Sequence, residues 1–300
     1  MTGGGVAGRP HGAGGPAQMR VLVAGYGVLT QGILPHLAAR PGFSVGLTSR
    51  HQVEPPLPGV ESVDAESVQD FRPDVILGCF ASDRRSRAFW TDSRTRRAIA
   101  ERGAGCIEMS TLSLDRAQHW HAEITAAGGV GTESPVTGSR SGASAGTLSA
   151  FVYQGVPDPR ADQVLRTFTR RRYDFSAPGH PTRFKLVYNA WGASLLYSMA
   201  AFVPVLRESL GEDFTVAEQV VRSDGWMAPV CASKLDRMLS GRYDDPDFAV
   251  QHMVKDLDQA AEVLGPSHEL LALVREAFDR AAALHGPGAD YTAVTGGQVR

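Results

Sequence analysis

The chain has 300 residues, 43% hydrophobic and 21% charged, a length that suits about two domains and an apolar fraction that fills a sizeable core. Its 30 basic and 32 acidic side chains nearly cancel, so a formal charge of −2 supplies no global field for a nucleic-acid backbone or an anionic membrane. Cys79, Cys106 and Cys231 are odd in number, far apart and without metal-ligand spacing, which argues against a disulfide framework and a structural metal and makes a reducing, cytoplasmic setting the expectation.

In chain order, residues 1–18 are rich in Gly, Pro and Ala, lack a signal-peptide apolar run and read as a disordered tail. Residues 20–25 (RVLVAG) form a valine-rich strand. Leu29, Ile33, Leu34 and Leu37 then recur at helical spacing, and Pro41-Gly42 stops that helix. Residues 43–48, 74–80 and 105–109 are further short apolar runs, separated by polar, Arg-rich stretches of helical length such as 82–102. Residues 130–135 and 146–154 are candidates to extend the sheet. Strands alternating with helices predict an α/β Rossmann fold, a doubly wound parallel sheet. Beyond about Pro178 the periodicity becomes helical at 185–207, 216–221, 248–264 and 268–283, which predicts an all-helical C-terminal domain. Within it, 186–206 approaches the hydropathy of a membrane span. Asn189, Ser194, Ser198 and Pro204 interrupt it and partner spans are missing, so it reads as a buried helix between domains.

Gly25-Tyr26-Gly27 follows the first strand and opens a helix, where a dinucleotide fingerprint sits. The first Gly allows the tight turn, the second lets backbone approach a pyrophosphate, and the helix start offers N–H donors. The third fingerprint glycine is replaced by Thr30, a departure expected to loosen helix–strand packing or re-aim the turn. At the end of the second strand the chain reads Ser49-Arg50-His51, with no acid before Glu54 to take ribose hydroxyls. A hydroxyl and a guanidinium suit a 2′-phosphate, so NADP is expected over NAD.

Of the 30 basic residues 27 are Arg, and the three lysines are Lys185, Lys234 and Lys255. A buried Lys can shift its pKa and exchange a proton, which Arg cannot. Lys185 opens the long apolar helix, with Asn189 four residues on and on the same face. It is a plausible proton donor; Lys234 reads as surface. Residues 134–148 (SPVTGSRSGASAGTL) are dense in glycine and hydroxyls, and their backbone N–H groups suit a carboxylate.

Four features recur in order: the Gly-x-Gly turn, Ser110-Thr111 after a strand, the Pro-Val-Thr-Gly…Gly-Ala…Gly-Thr-Leu loop, and Gly-x5-Lys-x3-Asn, followed by Lys255-Asp256-Leu257 and Gly288-Ala289-Asp290-Tyr291. From about residue 20 to 294 this set resembles the β-hydroxyacid dehydrogenase family. That family includes 3-hydroxyisobutyrate dehydrogenases, glyoxylate/succinic semialdehyde reductases and, more distantly, imine reductases. The resemblance implies a dinucleotide-binding Rossmann domain at 19–179 and a helical substrate and dimerisation domain at 180–300, with a 6-phosphogluconate dehydrogenase-like domain in the chain. It also implies a homodimer acting on a small molecule. By position, Lys185 is the general acid/base with Asn189 beside it, and Thr137, Gly138 and Ser139 hold the substrate carboxylate. Gly25, Tyr26, Gly27, Val28, Leu29, Thr30, Ser49, Arg50, His51, Phe80, Thr111 and Lys255 meet the cofactor. Ser139 stands where the family has glycine, which puts a simple 3-hydroxy acid in doubt; Trp191 and Trp226 could line a bulkier pocket, but core packing is the expectation for both.

Other patterns carry less. His119 and His121 point to different sides of a helix, make a poor metal pair and read as exposed. None of the seven tyrosines has Lys at i+4, which excludes the Tyr-x3-Lys chemistry of short-chain dehydrogenases. The expected activity is NADP(H)-dependent oxidoreduction of a hydroxy acid or carbonyl substrate. The alternatives are an imine reductase of the same fold, in which the resemblance places Asp or Tyr rather than Lys at position 185, and a catalytically silent NADPH-binding sensor.

Overall fold

The computed structural model describes residues 18–50, 57–265 and 267–294. The expectation of a disordered tail lies almost wholly outside them. The first half lays down β1 (Met19–Ala24), α1 (Val28–Ala38), β2 (Phe43–Thr48), β3 (Val60–Ser62), β4 (Val75–Gly78), α2 (Asp83–Trp90), α3 (Ser93–Arg102), β5 (Gly105–Glu108), α4 (Leu114–Ala126) and β6 (Val130–Glu133). These six strands run parallel in the order β3-β2-β1-β4-β5-β6, with Val21 level with both Val45 and Val75. Successive side chains leave a strand on opposite faces, and both faces here are covered by helices. Val21, Val23, Leu47, Val75, Leu77 and Ile107 fill one core, while Leu22, Ile76 and Cys106 enter the other with Trp90 and Trp120. That double burial is why these strands read as unbroken apolar runs.

The expected single helical stretch at 82–102 is two helices. Thr91 closes the first and Asp92 caps the second, its carboxylate accepting from the N–H groups of Arg94 and Thr95.

The sheet then continues by an antiparallel turn. It comprises β7 (Val136–Thr137), α5 (Ser139–Ser144), β8 (Leu148–Gln154), α6 (Pro159–Leu165) and β9 (Thr169–Asp174). β8 pairs antiparallel with β6 and β7, and β9 lies parallel on β8.

The second half is helical: α7 (His180–Leu210), α8 (Phe214–Ser223), α9 (Ala228–Ser240), α10 (Val250–Leu264) and α11 (Glu269–His285). Ala190 and Ala193 of α7, Ala260 of α10 and Ala277 and Ala281 of α11 let these three helices approach closely around Leu186, Leu196, Met253, Leu257, Val274 and Phe278.

The expectation that 186–206 is buried throughout fails. The inner face of α7 joins that core, but no element of the described chain covers its outer face. Trp191 is 68% and Phe202 66% exposed, and Trp226 is 85% exposed, so neither tryptophan packs in the core. By length and composition alone, the helical stretch His180–Ser223 is also apolar enough to cross a membrane, with 28% of its most apolar window buried.

Candidate active site

The C-terminal end of β1 leads into Gly25 at φ +97°, where a Cβ would lie 2.2 Å from the Cys79 carbonyl oxygen. Only glycine fits so close an approach of the β1 and β4 ends. Gly27 is the opposite case: a Cβ there would meet nothing within 4 Å, so open space faces the start of α1. Val28 is exposed, and Tyr26 and Leu29 are half-buried beside this opening.

Thr30, expected to loosen helix–strand packing or re-aim the turn, is bonded into the turn. It is fully buried, its Oγ1 accepts from the Gly27 N–H at 2.7 Å and donates to the Gly27 carbonyl at 2.9 Å. From the third position of α1 the threonine thus bonds back to the cap residue Gly27. The close-contact task falls to Gly32 instead, where a Cβ would sit 2.8 Å from the Ala143 Cβ and the Ser144 backbone nitrogen, so α1 lies directly on α5.

Ser49 and the exposed Arg50 follow β2 at the same edge of the sheet. His51 lies outside the described residues. Phe80 and Thr111 leave the ends of β4 and β5, and their loops are fixed by a carboxylate that sequence reasoning missed. Glu108, 2% exposed, accepts from Ser86 Oγ (2.7 Å), Trp90 Nε1 (2.8 Å) and both the N–H and Oγ of Ser110, whose Oγ accepts in turn from the Phe80 N–H at 2.6 Å. Burial raises the Glu108 pKa, opposed by these donors.

Lys185 and Asn189 are both buried on the inner face of α7. Asn189 Nδ2 donates to Asp256 Oδ2 on α10 at 2.6 Å, and the other oxygen of Asp256 pairs with Lys255 Nζ at 2.9 Å. Lys255 Nζ also donates to the Thr111 carbonyl at 2.6 Å. Lys185, Asn189, Lys255 and Thr111 therefore converge, with the 1%-exposed Asp256 at their centre. Asp256 was visible in the sequence only as the middle of Lys-Asp-Leu; nothing in spacing marked it as the shared acceptor. Burial lowers the Lys185 pKa to about 8; Lys255 adds to the fall and Asp256 opposes it. The Lys185 ammonium also lies 5.7 Å from the Tyr188 ring centroid, beside an aromatic wall in which Phe184 stacks on Tyr188 and meets Phe151 edge-on.

Thr137, Gly138 and Ser139 form the turn between β7 and α5, above Gly32's contact with α5. Ser139 holds φ +54°, a left-handed conformation that a side chain makes costly, at the place where the resemblance implies glycine. Among the described residues no hydrogen bond joins this turn to Lys185. None holds a cluster of three or more His, Cys, Asp or Glu suited to a metal. His121 is not the exposed group expected: it is mostly buried and its Nε2 bonds Glu133 Oε2 at 3.1 Å.

A dinucleotide fits this edge. Space opens at Gly27, the helix start points into it, and Arg50 stands one strand away. The fold and site thus define a pyridine-nucleotide-binding Rossmann domain carried in front of a helical domain. Residues 21–164 match the family described as the NAD binding domain of 6-phosphogluconate dehydrogenase. Two Arabidopsis thaliana proteins are similar in sequence. Glyoxylate/succinic semialdehyde reductase 2, chloroplastic, is 26% identical over 64% of this chain and 54% of its own length, so the match spans about half of that relative. Glyoxylate/succinic semialdehyde reductase 1 is 27% identical over 64% of this chain and 67% of its own. In structure, a Salmonella typhimurium 3-hydroxyisobutyrate dehydrogenase superposes with a TM-score of 0.75 at 21% identity, covering 92% of this chain and 99% of that one. The fold also recurs in Psf3, solved with NADP+ and 2-OPP (TM-score 0.69, 21% identity, 91% and 97% covered), and in a Streptomyces aurantiacus imine reductase (0.54, 15%, 92% and 98%). The chain thus carries an NAD-binding domain of the 6-phosphogluconate dehydrogenase kind, is similar in sequence to the two Arabidopsis thaliana reductases, and shares its fold with these structures.

Proposed function

We propose that this chain is an NADP(H)-dependent oxidoreductase that interconverts a hydroxy acid and its carbonyl counterpart, with Lys185 as general acid/base. The observation that carries this reading is the buried Lys185 with a pKa of about 8, beside Asn189 and the Asp256–Lys255 pair. A group that titrates near working pH both gives and takes a proton effectively.

When bound, the nicotinamide supplies or accepts the hydride. In reduction Lys185 gives its proton to the developing alkoxide oxygen, and in oxidation neutral Lys185 takes it from the hydroxyl. Asn189, held by Asp256, keeps its amide oxygen for the substrate hydroxyl or for Lys185 itself. Thr137, Gly138 and Ser139 hold the carboxylate with backbone and hydroxyl donors, and the Ser139 side chain argues against a simple 3-hydroxy acid as the substrate. Gly25, Tyr26, Gly27, Val28, Leu29 and Thr30 frame the pyrophosphate, Ser49, Arg50 and His51 take the 2′-phosphate, and Phe80, Thr111 and Lys255 border the nicotinamide. The complex of Psf3 with NADP+ supports NADP as the cofactor class. In this reading residues 19–179 serve the cofactor and 180–300 the substrate and a second copy of the chain, in the cytoplasm.

Homodimerisation is supported by the uncovered stripe on α7. Phe184, Tyr188, Trp191, Leu195, Phe202 and Val205 all stand at least one-third exposed, at spacings of four, three, four, seven and three, the seam that pairs helix with helix.

The test is binding of NADPH and NADH, followed by cofactor oxidation across carbonyl acids, aldehydes and cyclic imines. The reading expects NADPH preference that Arg50→Ala weakens, and turnover of carbonyls. Turnover of imines alone makes the chain an imine reductase, and binding without turnover makes it a sensor.

A further inference from the structure

Glu133 is a buried carboxylate outside the site just described. It ends β6 in the Rossmann sheet, yet its main partners lie in the helical half of the chain. Its Oε2 accepts from the Gly179 N–H at 2.7 Å, and its Oε1 from the Thr182 N–H at 2.9 Å and the Thr182 hydroxyl at 2.6 Å. His121 of α4 supplies the fourth contact, Nε2 to Oε2 at 3.1 Å. Gly179 is the cap residue of α7 and Thr182 stands in its first turn. The first N–H groups of a helix have no partner within it, and their dipole favours an anion. α7 has no side-chain cap of its own. A carboxylate from 46 and 49 residues away therefore does that work, in a site where only 2% of Glu133 is exposed.

Lys185 follows Thr182 by three residues, one helical turn, so it projects from the stretch that this carboxylate holds. We propose that Glu133 is a positioning residue for Lys185: it bolts the first turn of α7 to the end of β6 and thereby fixes how deeply the lysine is buried and where its ammonium points. The inference rests on the general-acid reading for its catalytic consequence, but not for its structural one. Burial works to raise the Glu133 pKa, yet the bonds from His121, Thr182 and Gly179 outweigh it and hold the carboxyl below its ordinary value, so the bolt carries its charge at neutral pH. Glutamine is a near-isosteric replacement that fails chemically, since its NH2 group turns a donor toward donors, and a buried N–H left unpaired is costly.

The three lysines of this chain make the test direct. Side-chain lysine NMR on selectively labelled protein gives three resonances, and Lys185→Arg, Lys234→Arg and Lys255→Arg assign them. Titration of each resonance needs no substrate. In Glu133→Gln the Lys185 resonance is expected to titrate at least half a pH unit above its wild-type midpoint as water reaches the loosened turn, while Lys234 keeps its midpoint. With the best carbonyl substrate, kcat is expected to fall at least tenfold with KM changed less than threefold, and Glu133→Asp, which keeps the charge but shortens the reach, to recover part of it. If Glu133→Gln does not fold, Thr182→Val, which deletes one bond of the bolt, is expected to shift Lys185 in the same direction by less. An unchanged Lys185 midpoint in a folded variant overturns the proposal and leaves Glu133 a plain helix cap. A shifted midpoint together with full turnover by Lys185→Ala upholds the positioning and removes the general-acid reading instead.

Discussion

Lys185 releases its proton at about 8 against an ordinary 10.5, because the wall of α7 and α10 strips water from its ammonium. The sign of the resulting pH dependence follows. In the proposed reaction reduction uses the protonated form, so kcat in that direction should fall as pH rises through about 8, while oxidation, which uses the neutral amine, should rise across the same range. Asp256 holds the pKa up, so Asp256→Asn should move both limbs to lower pH; rate profiles of the two directions over pH 6 to 10 (a span of roughly two units about the midpoint) check this. A profile that ignores Asp256→Asn would mean that another group sets it. The sequence made Lys185 visible because lysine is rare here and Arg does the ordinary surface work. Asp256, Glu108 and Glu133 were not visible, since a carboxylate takes its role from what folds against it, and each has a partner far along the chain, 67, 22 and 49 residues away respectively. Thr30 was legible as a departure but not as a repair, because its two bonds to Gly27 depend on the turn it helps to make.

Elements buried on two faces were readable, and elements at an edge were not. β1, β4 and β5 announce themselves as apolar runs because helices cover both sides of them. β9 reads TRRRYD and escaped notice, since an edge strand carries charge on its open side. α5 lay hidden in a Gly- and Ser-rich stretch that reads as loop. Its contact with α1 links the two halves of the site: the helix that opens the cofactor edge rests, through Gly32, on the helix that follows Thr137–Gly138–Ser139. Gly32→Ala gains about 1 kcal/mol of helix propensity but loses about 1–3 kcal/mol by forcing the helices apart. The expected outcome is a lower melting temperature together with weaker substrate and cofactor binding, read by thermal unfolding and by KM for both. A stable variant with unchanged KM for substrate would separate the two helices functionally.

At the scale of the whole molecule, the α/β half and the helical half meet at a charged seam. Lys255 reaches from α10 to the Thr111 carbonyl, Gln259 reaches from α10 to Asp83, and Glu133 reaches from β6 to the start of α7. The residues proposed for chemistry lie along that seam, which fits a site assembled between domains. The α/β half and the helical half were both legible from periodicity, whereas the outer face of α7 was misjudged as buried: an apolar stripe looks the same whether its own chain or another covers it. Sedimentation should give twice the monomer's 32.0 kDa, and replacing Trp191 and Phe202 together by Asp should give the monomer. A wild-type monomer at tens of micromolar (about 1 mg/ml, where a standard-sized interface holds) would leave that stripe without its proposed partner.

In the proposed reaction one lysine moves the proton. The most direct test of this is turnover of Lys185→Ala at saturating NADPH and saturating carbonyl substrate, with NADPH affinity measured on the same preparation. Loss of about 10²–10⁴-fold in kcat with cofactor binding retained is the predicted result. Near-normal turnover by the variant would contradict it.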